Sequence, residues 1–179
     1  MTSIDWRIRS PPEKRIMLGI DPGLAITGYA VLHGQHGELQ LRTCGVLRTS
    51  QHLLLPDRLQ SLYEQLTMLL TMYEPTEAAM ELLLFGKNRK TALAVSHARG
   101  VTMLALRQAH LSIAEYTPSQ VKRAVTGYGN ARKPQVGEMV RVQLRLSTIP
   151  RPDDAADAAA VAICHARMIV EKGTTTYDT

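Results

Sequence analysis

The 179-residue sequence predicts a mixed α/β domain in which helices cover both faces of a five-stranded sheet. Residues 16–47 contain three apolar runs joined by short turns, which indicates an antiparallel meander of three strands. After residue 50, leucines recur at helical spacing, and beyond residue 77 apolar runs of strand length alternate with helical patterns. Strands separated by helices pair in parallel, so the alternation adds two parallel strands to the meander.

The meander begins with a strand at 16–21, which is apolar on both faces and is therefore predicted to be buried. Pro22 and Gly23 make a turn into a second strand at 27–32. A glycine-containing turn then leads into the third strand, near residues 39–47. The short connections keep these three strands adjacent in the sheet.

The second half of the chain alternates helices and strands. Residues 77–85 favour a helix by local propensity, but their position between two helical patterns predicts a strand. Gly100 lies inside a predicted long helix, where glycine costs about 1 kcal/mol relative to alanine, so we expect another element to pack closely there. The predicted order is a helix at 56–72, a strand at 77–85, a helix at 88–110, a strand at 111–118, helices at 118–125 and 134–146, and a last helix after Pro152.

Length and composition predict one globular domain. Residues 1–14 are expected to form a flexible extension, 15–172 the single domain and 173–179 a tail. Hydrophobic and charged contents of 45% and 21% are ordinary for a soluble protein. The net charge of +5 indicates a polyanionic partner. The aromatic content of 4% disfavours a protein that binds single strands by stacking bases on exposed rings.

The cysteines and the N-terminal residues bear on cellular location. Cys44 and Cys164 lie in separate apolar contexts, which is typical of a reduced, intracellular protein. The first fifteen residues are polar and do not resemble a signal peptide. The most apolar helical stretch, at 155–170, contains charged residues and is not expected to cross a membrane. We therefore expect a cytoplasmic protein with no membrane partner.

Four acidic residues stand out by their positions. Asp21 ends the first strand, and Glu81 lies among apolar residues in the fourth. Asp154 and Asp157 are three residues apart at the start of the last helix, so they lie on one helical face. An Asp before a turn is often only a turn residue, and acids in a first turn often serve only as caps. Asp153 is placed to be the N-cap, which leaves its two neighbours without that explanation.

If the four acids converge, their mutual repulsion requires a compensating cation. Mg²⁺ prefers oxygen ligands and is commonly held by a few carboxylates together with water and substrate phosphate. Two such ions about 3.5–4 Å apart activate water and stabilise the leaving oxygen of a phosphodiester. A basic protein with an acidic centre is therefore typical of a metal-dependent nuclease.

Four segments carry a family resemblance, in the order GIDPGLAITGYAVL, GKNRKTALAVSHARG, TPSQVKRAVTGYGNARKPQV and DDAADAAAVAICHA. Together they resemble the RuvC family of Holliday-junction resolvases over about residues 16–170. The resemblance implies an RNase H-like fold, a homodimer and Mg²⁺-dependent paired nicking of four-way DNA junctions in recombination and repair. Two Mg²⁺ ions per subunit are implied, for which Mn²⁺ can substitute. RuvA- and RuvB-type branch-migration machinery is the implied partner. The family's four catalytic, metal-binding acids correspond to Asp21, Glu81, Asp154 and Asp157.

The same resemblance implies DNA-binding residues. The family's two motif lysines correspond to Lys122 and to Lys133, the latter expected in a glycine-rich loop beside Arg132. Such a loop approaches a DNA backbone closely, and a lysine there meets phosphate as a point charge. A lone lysine at either position is usually a solvated surface charge, and the match to the family motif is what favours a DNA-binding role.

A second group of candidate DNA contacts follows Glu81. Some family members carry an aromatic residue just after this acid that helps to open the junction. In this chain Phe85 is the nearest aromatic residue, and either a wedge role or core packing accounts for it. Three neighbouring cations are available to a junction strand, namely Lys87, Arg89 and Lys90.

Three other functions share parts of this pattern. Actin-like and sugar-kinase-like ATPases also begin with a strand, an Asp and a glycine-containing turn, but they need two lobes, and this chain has room for one. A non-catalytic junction-binding module is expected to lack one of the acids, and all four are present. A nuclease of the same fold that acts on RNA or on other branched DNA remains a third alternative.

Overall fold

The computed structural model describes residues 15–35, 37–83 and 89–174, with backbone only at 89–91 and 169–174. Five strands form one sheet in the order β3-β2-β1-β4-β5. The pairs β1–β2 and β2–β3 are antiparallel, and β1–β4 and β4–β5 are parallel. The strands are β1 (Arg15–Asp21), β2 (Ile26–Gln35), β3 (Glu38–Arg48), β4 (Glu77–Glu81) and β5 (Ser112–Tyr116). The helices are α1 (Leu55–Tyr73), α2 (Arg89–Gln108), α3 (Pro118–Thr126), α4 (Lys133–Gln143) and α5 (Asp153–Thr174).

The predicted fold class is confirmed, including the meander and the two parallel strands. β4 is shorter than the predicted strand and ends at Glu81. The expected close packing at Gly100 is not found within the described residues: a Cβ added there would meet no atom among them within 4 Å. The glycine lies on an exposed face of α2, where its lack of a side chain relieves no crowding.

The sheet separates two hydrophobic cores, because side chains alternate between its faces. Met17 of β1 and Ala79 of β4 pack on one face, in a core with residues of α3, α4 and α5. Leu18 and Met80 pack on the opposite face, in a core with residues of α1 and α2. The predicted arrangement of helices on both faces is therefore confirmed.

α5 lies unusually close to the sheet, because β1 and β2 present glycines beneath it. A Cβ at Gly19 would lie 2.2 Å from the carbonyl oxygen of Ala158, and one at Gly28 only 2.0 Å from that of Asp154. Real side chains do not tolerate such distances, so the helix backbone sits where larger residues would need space. Ala158 and Ala162 of α5 lie against Gly19. The alanines at positions 155, 156, 158, 159, 160 and 162 are all buried.

A buried polar network fixes α5 further along its length. The Arg15 guanidinium donates to both carboxylate oxygens of Glu77, at 2.6 and 2.9 Å. His165 of α5 lies with Nε2 3.0 Å from Glu77 Oε2 and with Nδ1 2.8 Å from the Tyr116 hydroxyl. Burial raises the pKa of Glu77, but the hydrogen bonds from His165 and Arg15 outweigh it and lower the pKa to about 2. The network ties α5 to β1, β4 and β5.

We predict opposite effects for two glycine-to-alanine changes. Gly28→Ala forces the first turn of α5 away from the sheet and should lower the free energy of unfolding by about 1–3 kcal/mol. Gly100→Ala meets no neighbour among the described residues and should raise the free energy of unfolding of the monomer by up to about 1 kcal/mol. Urea denaturation measures both changes. Equal effects of the two substitutions would contradict the proposed role of the close contact.

Candidate active site

Asp21 and Glu81 lie side by side at the carboxyl ends of two neighbouring parallel strands. β1 and β4 are in register at Ile20 and Met80, so the next residue of each strand is one of these acids. Alternate residues of a strand point to the same face, so Asp21 lies on the same face of β1 as Met17, which packs in the core with α5. Glu81 is two residues beyond Ala79, on the same face of the sheet.

The other two acids come from the first turns of α5. Gly28 is the cross-strand partner of Asp21 and lies directly beneath the backbone of Asp154. The contact between α5 and β2 therefore places Asp154 next to the end of β1. Asp157 lies one turn later on the same helical face.

The other three acids all act electrostatically on Asp21. Burial raises the pKa of Asp21, and the negative charges of Glu81, Asp157 and Asp154 raise it further, to about 7. Lys133 opposes these effects. The structure therefore brings all four predicted acids together around Asp21.

Glu81 shares this environment and also experiences two positive charges. Burial and then Asp157 raise its pKa, whereas Lys122 and Lys133 lower it. Lys122 is in α3, and Lys133 is the first residue of α4. Both lysines predicted to bind DNA therefore lie within electrostatic reach of the acids.

Lys133 differs from its predicted setting. It begins α4 instead of lying in the preceding glycine-rich loop, because Arg132 takes the cap position and its amide donates to the Gln135 side chain. The Lys133 ammonium lies 2.7 Å from Asp157 Oδ2 and 3.9 Å from Asp153 Oδ2. The hydrogen bond with Asp157 raises the pKa of Lys133.

The two neighbouring aspartates, Asp153 and Asp154, have separate roles. Asp153 is the first residue of α5 and not the residue before it, so the predicted N-cap is wrong by one position. Its side chain is half exposed and bonds to Arg151 at 2.5 Å. Asp154 is the one that acts on Asp21. This difference supports Asp154 as the member of the acidic cluster.

The donor set suits a hard divalent cation, since it consists of carboxylate oxygens, and burial and the neighbouring acids raise the pKa of two of them, Asp21 and Glu81. In the part of the chain that the structure describes, no three His, Cys, Asp or Glu side chains are already close enough to hold a metal ion. Repulsion between the carboxylates and the hydrogen bond of Asp157 to Lys133 act against closer approach. A cation would draw the carboxylates inwards by adjusting side-chain rotamers.

The remaining predicted DNA contacts are only partly described. Arg132 is exposed at the start of α4, on the side of Lys133. Phe85 and Lys87 lie outside the described residues. The backbone of Arg89 and Lys90 forms the start of α2, but their side chains are not described.

Gly19 and Gly28 are functional positions that the sequence pattern marks only weakly. A glycine inside a strand often indicates close approach of another backbone, and both residues fit that sign. The identity of the approaching element follows only from the three-dimensional structure. These two glycines have no functional side chain, but they let α5 pack close enough to the sheet for its acids to reach the site.

Three antiparallel strands followed by two parallel ones, with helices on both faces, form the RNase H-like fold. Carboxylates from the ends of β1 and β4 and from the start of α5 suit the metal ions that assist phosphodiester hydrolysis. The molecule is therefore a nuclease of the RNase H-like class.

Comparisons with known proteins give the family. Residues 17–165 match the family model described as "Crossover junction endodeoxyribonuclease RuvC". The enzyme of that name from Roseiflexus sp. is 55% identical over 148 residues, which are 83% of this chain and 88% of that protein. The one from Heliobacterium modesticaldum is 50% identical over 154 residues, or 86% and 95% of the two chains. The chain belongs to the RuvC family of crossover junction endodeoxyribonucleases.

Solved structures agree with this assignment. Thermus thermophilus RuvC in complex with a Holliday junction substrate is 31% identical, with a TM-score of 0.84 over 89% of this chain and 97% of that one. A yeast mitochondrial Holliday junction resolvase, at 18% identity and a TM-score of 0.65, shares the fold. The similarity extends over nearly the whole described domain.

We predict that Asp21→Asn stabilises the fold when no divalent ion is bound. The pKa of the Asp21 carboxyl group is about 7 in the folded protein and 3.8 in the unfolded chain. The charged form therefore opposes folding, and the protonated carboxyl group is compatible with it. Its contribution is complete below pH 3.8 and is lost as the pH rises through about 7. At about pH 8 in EDTA, the Asn variant should be more stable by on the order of 2 kcal/mol, as measured by urea denaturation. Equal stability of the two proteins at that pH would contradict the crowding of the acids.

Proposed function

We propose that this chain is a Holliday-junction resolvase that makes paired, symmetric nicks in four-way DNA junctions by metal-dependent hydrolysis. The carrying observation is the convergence of Asp21, Glu81, Asp154 and Asp157 from β1, β4 and α5, in a chain of the RuvC family. Members of this family depend on divalent metal ions. We propose Mg²⁺ as the ion, two per subunit, with Mn²⁺ able to replace it.

The proposed division of labour follows from the positions of the acids. The other three acids all act on Asp21, so its carboxylate is the one that we expect to be shared between two ions. Glu81, Asp154 and Asp157 would supply the remaining carboxylate ligands. When bound, such ions supply an activated water and stabilise the leaving oxygen of a phosphodiester. The strand ends and the helix hold the carboxylates rigidly, which metal ligands require.

The two lysines are proposed to bind the scissile-strand phosphates. Lys122 and Lys133 act on the acidic cluster from α3 and α4, so a phosphate at the site lies within their reach. The Lys133 ammonium donates to Asp157, and a phosphate would offer it a second anionic partner. Arg132, on the same edge, extends the positive surface along the DNA backbone. Roles for Phe85, Lys87, Arg89 and Lys90 in opening the junction stay part of the proposal.

We propose a homodimer, because two symmetric nicks require two active sites related by a two-fold axis. We propose α2 as the helix that forms the dimer interface. Its Leu93 and Leu104 are 61% and 54% exposed and offer apolar surface to a second copy of the chain. Partnership with RuvA- and RuvB-type branch-migration machinery is supported by family membership, and co-sedimentation of the three proteins on a junction tests it.

The described residues contain no helix that is both long and apolar enough to cross a bilayer.

The proposed function predicts cleavage of a mobile synthetic four-way junction in Mg²⁺. Asp154→Asn should slow nicking by about 10³-fold, because the variant loses a metal-binding charge, while junction affinity stays within about twofold. Asp153→Asn is the matched control: it changes the adjacent, exposed acid and should nick like the wild type. Gel analysis of end-labelled arms measures both the rate and the symmetry of the two nicks.

Comparing the cleavage rates of different nucleic acids tests the proposed substrate. The protein should cleave the junction faster than a flap or an RNA–DNA hybrid of the same sequence. Tight junction binding without nicks in either Mg²⁺ or Mn²⁺ would contradict the nuclease mechanism. Preference for the hybrid would assign the site to RNA instead.

A further inference from the structure

One cation near the site, Arg99, contacts the backbone of an acidic residue and not its carboxylate. Arg99 lies in the middle of α2, with a side chain that is 13% exposed. Its Nη1 donates to the carbonyl oxygen of Glu81 at 2.7 Å. The same guanidinium forms an ion pair with Glu115 of β5.

The sheet separates Arg99 from the carboxylate of Glu81. Glu115 alternates with Ile113, whose side chain packs in the core of α1 and α2, so Arg99 and Glu115 meet on that face. The Glu81 side chain is on the opposite face, towards α5. Arg99 therefore acts on Glu81 through the main chain.

The hydrogen bond from Arg99 to Glu81 lies where β4 is no longer paired with β1. The ladder between β1 and β4 ends at the pair Ile20 and Met80, one residue before Glu81. On the other side, the amide of Leu82 donates to the carbonyl of Tyr116 at 2.7 Å. The Glu81 carbonyl and the Leu82 amide belong to one peptide unit, so Arg99 and β5 together bond both of its polar groups.

A peptide unit held at both polar groups cannot rotate freely, and its orientation fixes the direction of the preceding side chain. Glu115 pairs with the guanidinium and so orients it, because the planar group can serve the carboxylate and the carbonyl at once. Without this bond, the last peptide of β4 is held only by β5. The Glu81 carboxylate would then sample directions that do not meet the other acids.

We propose that Arg99 is a positioning residue for the metal site, which it serves by fixing the backbone at Glu81. This inference rests on the proposed role of Glu81 as a metal ligand. Residues that orient a ligand typically contribute about 10–100-fold in metal affinity when they are changed. Arg99 also connects the ligand to α2, the helix proposed as the dimer interface.

The test is the affinity of the full-length protein for Mn²⁺ without DNA, measured by electron paramagnetic resonance of the free ion. Arg99→Met keeps the length of the side chain but removes the donors, and should weaken Mn²⁺ binding by about tenfold or more. It should raise the Mg²⁺ concentration for half-maximal nicking by a similar factor. Junction affinity in Ca²⁺ should stay within about twofold, because Arg99 faces away from the phosphate-binding lysines.

Arg107→Met is the matched control. Arg107 is also in α2, and its Nη1 also donates to a backbone carbonyl, that of Leu111 at 3.1 Å, away from the acids. It should leave Mn²⁺ affinity unchanged, even if its thermal stability falls. Arg99→Lys should restore part of the affinity, since a lysine can reach the carbonyl but cannot serve Glu115 in the same geometry.

The variant Glu81→Gln distinguishes a failure of the metal role proposed for Glu81 from a failure of the positioning role proposed for Arg99. Wild-type Mn²⁺ affinity in Glu81→Gln would overturn the proposed metal role of Glu81, and this inference with it. A loss in Glu81→Gln with no loss in folded Arg99→Met would overturn the inference alone. If Arg99→Met does not fold, Glu115→Gln replaces it: a reduced Mn²⁺ affinity supports the positioning role, and an unchanged one overturns it.

Discussion

The packing of α5 on the two strand glycines is the constraint on which the rest of the site depends. The helix backbone at Asp154 and Ala158 occupies space that a Cβ at Gly28 or Gly19 would fill. This contact brings two carboxylates of the helix to the end of β1, where Asp21 leaves the sheet. A conventional spacing between helix and sheet would move Asp154 and Asp157 away from Asp21, and with them two of the negative charges that, after burial and Glu81, raise its pKa.

Burying mutually repelling carboxylates lowers the stability of the fold, and packing and hydrogen bonds further along α5 offset this loss. Buried alanines pack the helix against β1 and β2, and the network of Arg15, Glu77 and His165 holds it further along. Lys133 adds a positive charge at the cluster itself, 2.7 Å from Asp157. A rigid scaffold therefore surrounds a site whose own residues disfavour folding, which is common where metal or substrate binding supplies the missing interactions.

Most of the fold and the acidic residues are predictable from the sequence, because hydrophobic periodicity and position along the strands report them directly. Asp21 and Glu81 follow apolar strands, and Asp154 and Asp157 share a helical face. Contacts between distant elements are not predictable in this way. Lys133 was expected as the last loop residue before a helix at 134–146, and the helix begins one residue earlier because Arg132 takes the cap position. Gly100 was expected to pack because propensity alone cannot show which face of a helix is exposed. Arg99 has no sequence signal, since its partner is a main-chain carbonyl.

Anomalous diffraction from crystals soaked in Mn²⁺ tests most directly whether the four carboxylates form one metal centre. We expect a peak within about 2.0–2.3 Å of oxygens from Asp21 and from at least one of Glu81, Asp154 and Asp157. Lys133 should then have moved away from Asp157. A peak held by other residues, or an acidic cluster without any peak at saturating Mn²⁺, would contradict the account.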